Sequence, residues 1–147
     1  MRVALGSDHA GYDLKAVLAS TLTGWGQNVV DLGSTDGAKS VDYADFGADV
    51  GRSVADAKCD LGVAVCGSGV GISMAANKVP GVRAALVHDA TSARLARERD
   101  HATFSASALA SLANWWLSTP SMRGGTPRPK RATSVVLRNC TRSMSAR

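Results

Sequence analysis

A cysteine followed by glycines at every second position is the stretch of this 147-residue chain best equipped for chemistry: Cys66, Gly67, Ser68, Gly69, Val70, Gly71. Glycine lets the backbone take positive φ and lie bare against a ligand. The apolar run before Cys66, residues 61–65, reads as a strand buried on both faces, and residues 72–78 read as the first turns of a helix. Strand, glycine loop and helix N-terminus together aim N–H groups and a positive dipole end at one spot, which suits a phosphate or a developing oxyanion. A thiol at the mouth of such a loop sits in the same field. Taken alone, Cys66 would more often be a small core residue, and glycine turns commonly serve close packing. Its place at the carboxyl end of a buried parallel strand, where open α/β sheets bind their ligands, turns the reading toward chemistry.

The elements that must hold this loop can be read along the chain. Residues 2–6 form a first strand, followed by a loop over 7–11 that carries Asp8 and His9. A helix over 12–23 has Leu14, Val17, Leu18 and Leu22 on one face. A second strand spans 28–32, a loop rich in glycine, serine and aspartate spans 33–40, and a second helix runs from Asp42 or Ala44 to Ala57 with Phe46, Val50 and Val54 as its stripe. After the glycine loop and its helix, Pro80 and Gly81 turn the chain into a strand over 83–87, and Asp89 caps a helix ending near Arg99. A weaker fifth strand is expected over 103–108, then a helix over 108–117 carrying Trp115 and Trp116. Crossovers of this length exclude hairpins, so the fold expected is α/β: a three-layer α/β/α sandwich on a parallel sheet of about five strands.

The chain divides into one domain over 1–120 and a basic, irregular tail over 121–147, whose one periodic piece is 134–137. Residues 1–100 hold 10 Lys+Arg and all 12 Asp+Glu, net −2; residues 101–147 hold 7 basic residues and no acid, net +7. Such a tail binds nucleic-acid backbones non-specifically, but with no interleaved aromatics beyond Trp115 and Trp116, nucleic acid is not the expected partner. Cys59, Cys66 and Cys140 form no CxxC pair and no even set, which points to a reducing cytoplasm. Asp8 interrupts the N-terminus before a secretion signal could form, and no membrane association is expected. A dehydrogenase is disfavoured, because the loop reads G-x-G-x-G rather than G-x-G-x-x-G and no acid follows about 20 residues on at a strand end.

Several motifs in order, GSDHAG (6–11), SVDYADF (40–46), VCGSGVG (65–71), AANKVPG (75–81), RAA (83–85) and SARL (92–95), resemble those of ribose-5-phosphate isomerase type B, a family that includes galactose-6-phosphate isomerase subunits. The resemblance covers about residues 1–98. It implies a Rossmann-like sandwich acting as a homodimer or homotetramer, without metal or cofactor, that interconverts aldose and ketose phosphates through an enediolate. It makes Cys66 the proton-abstracting base, with Ile72 where some members carry a glutamate base instead. Ser68 matches a hydroxyl that helps move a proton between the two oxygens, and Gly67, Gly69, Val70 and Gly71 belong to the anion-holding loop. Asp8 and His9 match residues contacting the sugar phosphate, and Tyr43 one lining the same pocket. A six-carbon sugar phosphate or a rare sugar is the alternative substrate, and a binding module that has lost ring opening is the alternative class.

The departures begin near residue 99. Where the family has a ring-opening histidine and then an asparagine, this chain has Arg99 and Asp100, with His101 two positions beyond the histidine site. On a helix that offset is a rotation of about 200°, so His101 can stand in only where the helix has ended. Arginine stays protonated and makes a poor general acid. Farther on, Arg128 and Arg131 are the candidates for the phosphate-clamping arginines, out of their usual spacing. Insertions, deletions or a shifted reading frame over 102–147 would account for the simultaneous loss of acids and motifs, which resequencing the gene tests.

Overall fold

Two adjacent strands, β1 (Arg2–Ser7) and β3 (Leu61–Cys66), form the buried middle of the molecule. All six residues of β3 and five of the six in β1 are buried, as uninterrupted apolar or small sequences require when helices cover both faces of a parallel sheet. The computed structural model describes residues 1–102 and the backbone of 135–138. Its sheet has the order β2-β1-β3-β5-β4, with β2 at Asn28–Asp31, β4 at Ala85–Val87 and β5 at Val135–Arg138, and every pairing is parallel.

The described helices are α1 (Tyr12–Gly24), α2 (Tyr43–Ala55), α3 (Val70–Asn77) and α4 (Ala90–Glu98). Strand alternation sends Val3, Leu5, Val63 and Val65 to one face, where Leu18 and Leu22 of α1 and Ala93 and Ala96 of α4 meet them. Ala4, Ala64 and Cys66 go to the other face, against Val50 and Val54 of α2 and Ile72 of α3. The three-layer α/β/α sandwich is therefore the observed fold. Gly47 and Gly51 lie on the α3 side of α2: a Cβ at Gly47 would sit 2.6 Å from the Ile72 carbonyl oxygen, and one at Gly51 3.1 Å from Val79 Cγ2. Only glycine lets the two helices approach this closely. That approach sets where the N-terminus of α2 stands above the glycine loop.

The structure departs from the sequence expectations in four places. On α1 the buried face is Lys15, Leu18 and Leu22, while Val17 is 51% exposed. Among the three loop glycines only Gly69 has positive φ, at 79°, so α3 begins earlier than expected, at Val70. Strand β4 starts at Ala85 because the Asn77 amide occupies both backbone groups of Ala84, accepting from its N–H and donating to its carbonyl at 2.8 Å each. The fifth described strand is Val135–Arg138, within the stretch read as an irregular tail and overlapping its one periodic piece. The expected strand over 103–108, the helix with Trp115 and Trp116, and both Arg128 and Arg131 lie outside the described residues. Among the described residues no helix is long and apolar enough to cross a membrane.

Candidate active site

The chain steps from β1 outward to β2, then returns past β1 to place β3 on its other side. Loops leaving the carboxyl ends of β1 and β3 therefore diverge and leave a crevice, the usual binding position in an open α/β sheet. The two loops touch at its base. The Asp8 amide donates to the Val65 carbonyl at 3.2 Å, and a Cβ at Gly11 would lie 2.6 Å from the same oxygen.

Cys66 ends β3 with its thiol buried on the α2/α3 face. Its Sγ accepts a hydrogen bond from the Gly69 amide at 3.1 Å. The left-handed turn at Gly69 bends the chain back enough for that contact, then starts α3 directly. Ser68 is exposed, and its Oγ accepts from the Val70 amide at 3.3 Å. Thiol, hydroxyl and the opening N–H groups of a helix thus share one six-residue segment. Among the described residues no cluster of three His, Cys, Asp or Glu side chains could hold a metal ion.

From β1, Asp8 is buried and its Oδ1 accepts from the Gly11 amide at 2.9 Å, closing the turn into α1. Burial pushes its carboxyl above the usual carboxylate range, opposed by that hydrogen bond and by the neighbouring His9. His9 is half-buried, and its Nδ1 accepts from the Val41 amide at 3.3 Å. In a neutral ring this contact puts the proton on Nε2. Val41 ends the loop after β2, and Asp42 then caps α2 by accepting from the Ala44 amide at 2.8 Å. The next residue, Tyr43, lays its ring against Gly71, where a Cβ would come within 2.4 Å of Cε2. Asp8, His9, Tyr43, Cys66, Ser68 and the 67–71 backbone accordingly lie on the loops and helix starts at the carboxyl edge of β1 and β3.

Asp100 and His101 do not join them within one chain. Crossover helices of a parallel sheet run antiparallel to its strands, so α4 starts at the carboxyl edge beside Asp89 and ends at the opposite edge. Both residues follow that end, exposed, with His101 at φ 50°. The sequence reading missed Lys15, whose Nζ is buried against Asp31 and the Ser34 carbonyl. Its signal was the i, i+3, i+7 spacing with Leu18 and Leu22.

The ribose/galactose isomerase family model matches residues 3–114. The chain is 45% identical over 103 residues to ribose-5-phosphate isomerase B of Mycolicibacterium paratuberculosis, a match covering 69% of this chain and 64% of that protein. It is 44% identical over 98 residues to galactose-6-phosphate isomerase subunit LacB of Clostridium acetobutylicum, covering 67% of this chain and 56% of that one. These matches thus span little more than half to about two thirds of the relatives' own lengths. A solved ribose-5-phosphate isomerase B from Clostridium thermocellum superposes with a TM-score of 0.75 at 39% identity, covering 85% of this chain and 88% of that one. With the family model, the relatives and the fold in agreement, the chain belongs to the ribose/galactose isomerase family.

Proposed function

We propose that this chain is a sugar-phosphate isomerase that interconverts ribose 5-phosphate and ribulose 5-phosphate through an enediolate, with Cys66 as the base. The observation that carries the proposal is the Cys66 thiol held 3.1 Å from the Gly69 amide at the head of α3. In the forward direction the Cys66 thiolate removes the C2 proton of the open-chain aldose. The electron pair moves into a C1–C2 double bond, and charge develops on the carbonyl oxygen facing the loop amides. Ser68 relays a proton from the C2 oxygen to the C1 oxygen. Cys66 then returns its proton to C1, leaving the ketose and an unchanged enzyme. Asp8 and His9 hold the sugar hydroxyls and Tyr43 walls the crevice, with no cofactor and no metal in the scheme.

The carboxyl-edge crevice needs a second copy to supply anything from the opposite edge, so the working unit proposed is a homodimer or homotetramer. Asp100 and His101 would reach Cys66 only across such an interface; Arg128 and Arg131, outside the described residues, are kept as candidates for clamping the phosphate. A six-carbon substrate is the second reading, favoured by the 44% identity to the galactose-6-phosphate isomerase subunit. Loss of ring opening, which would leave a sugar-phosphate-binding module, is the third, favoured by Arg99 at the histidine position.

Turnover of ribose 5-phosphate and galactose 6-phosphate by the wild type and Cys66→Ala separates these. The proposal expects a preference for the pentose and a loss of roughly 10²–10⁴-fold in Cys66→Ala, the usual worth of a positioned base. Full activity in Cys66→Ala would remove the base assignment. Inactivity of the wild type on cyclic sugars, with ligand-induced thermal stabilisation intact, would favour the binding module.

A further inference from the structure

Lys15 is the buried charged group for which the proposed reaction has no use. It sits on α1 at 3% exposure, and its Nζ donates to Asp31 Oδ1 at 2.8 Å, to Asp31 Oδ2 at 2.6 Å and to the Ser34 carbonyl at 2.9 Å. The Tyr12 ring lies 5.4 Å from the same nitrogen. A lysine placed here for stability alone would be an inefficient choice, because taking its ammonium out of water costs free energy that an apolar side chain of similar volume does not. What a lysine supplies instead is three directed donors, and they converge on the root of one loop.

That loop is the segment from Asp31 to Asp42, which crosses an exposed stretch before reaching the crevice. Its root is packed on the lysine itself: a Cβ at Gly33 would fall 2.7 Å from Lys15 Cδ and 2.5 Å from the Ser7 amide. Ser34 donates its amide to the Ser7 carbonyl at 2.8 Å, and its hydroxyl binds the Asp36 backbone. Asp36 in turn accepts from the Ala38 amide at 2.8 Å, and the Tyr12 ring packs on Gly37. At the far end Val41 donates to His9 Nδ1 and Asp42 caps the helix that begins with Tyr43. The loop is thereby fixed at its root by Lys15 and at its far end meets two crevice residues, His9 through the Val41 amide and Tyr43 as the first residue of α2.

We propose that Lys15, through Asp31 and Ser34, is a positioning residue that sets the 31–42 loop and with it the orientation and tautomer of His9. This rests on the isomerase reading only for its kinetic arm. Its primary test is spectroscopic, on the full-length protein labelled with ¹⁵N-histidine. Long-range ¹H–¹⁵N spectra, with the His9 signals assigned by comparison with His9→Gln, should show a wild-type His9 protonated at Nε2. Lys15→Met and Asp31→Asn should each shift it toward mixed tautomers; the second variant changes a half-exposed side chain and carries the test should the first fail to fold. In turnover, both variants should raise KM for ribose 5-phosphate about tenfold with kcat within about threefold, and Lys15→Met with His9→Ala should be no worse than His9→Ala alone. Unaltered His9 signals in both variants, with only a lowered Tm, would overturn the proposal, as would additive effects in the double variant. A wild type without turnover would sink the isomerase reading and leave the spectra to decide this one.

Discussion

Gly71→Ala separates the packing of the crevice from its chemistry. A Cβ at this position would lie 2.4 Å from Tyr43 Cε2, 2.6 Å from Cζ and 3.0 Å from the hydroxyl oxygen. Ordinary carbon contact needs about 3.5 Å, so the ring must retreat by roughly 1 Å. It has room, being 44% exposed at the start of α2 rather than locked in the core. Alanine meanwhile gains about 0.5–1 kcal/mol over glycine as helix former, which offsets much of the lost ring contact. Net stability should change by under about 1 kcal/mol, or a Tm shift of about 4 °C at most for a chain of this size. The crevice wall nevertheless moves by roughly 1 Å, a displacement that can cost up to about 100-fold in turnover. Gly47→Ala is the contrast: its Cβ would meet the Ile72 carbonyl at 2.6 Å, backbone that cannot swing away. That variant should lose about 1–3 kcal/mol by overpacking. Thermal melts and ribose 5-phosphate turnover on both variants decide the matter. A Gly71→Ala protein with unchanged turnover would refute the role given to Tyr43, and equal Tm losses in the two variants would refute the distinction between mobile ring and fixed backbone.

Asp8→Asn keeps an acceptor for the Gly11 amide but cannot ionise. Because burial raises the folded-state value above the ordinary 3.8, the wild type holds this stability below that pH and loses it as pH rises through the raised value. Melts should therefore show Asp8→Asn equal to or above the wild type at pH 7, with any advantage gone near pH 3.5, while its turnover falls; a variant less stable than wild type by the same margin at both pH values would contradict the assigned cause. If the working unit shares residues across an interface, mixing inactive Cys66→Ala with an inactive variant at Asp100 or His101 should restore about a quarter of wild-type turnover by forming hybrid dimers with one intact site. No recovery after confirmed subunit exchange would separate Asp100 and His101 from the Cys66 crevice.

Strand β3 was legible to within one residue because an unbroken apolar run bounded by Asp60 and a glycine loop has one reading in a crossover pattern. The capping of α4 by Asp89 was equally plain, since its carboxylate and Ser92 form a reciprocal pair at the expected helix start. Lys15 was legible only in its i, i+3, i+7 spacing with Leu18 and Leu22. Apolar periodicity ranks Val17 above a lysine for burial, and it takes the Asp31 carboxylate, brought opposite by the β1–β2 pairing, and the Ser34 carbonyl to make the buried ammonium tolerable. The glycine loop shows the same limit in miniature. Three alternating glycines suggest three unusual backbone angles, yet one is needed for φ and another, Gly71, for the Tyr43 ring that folds over it from 28 positions earlier in the chain. Long-range contacts assign such roles, and no local pattern carries them.

The placement of Asp100 and His101 follows from topology more than from sequence. Helix α4 has nine residues, which at 1.5 Å each carries the chain about 13 Å from the carboxyl edge of β4 toward the opposite edge. No rotamer of a residue at its far end recovers that distance, so replacing Arg99 by histidine in the same chain would not by itself bring an imidazole to Cys66. Residues at the head of a crossover, such as Asp8, His9, Cys66 and Ser68, can serve the crevice of their own sheet. Residues at its foot, such as Asp100 and His101, lie at the opposite edge of that sheet. Under the proposed isomerase reading, chemistry placed at both ends of the helices is completed by two copies of the chain, the arrangement that the subunit-mixing experiment tests.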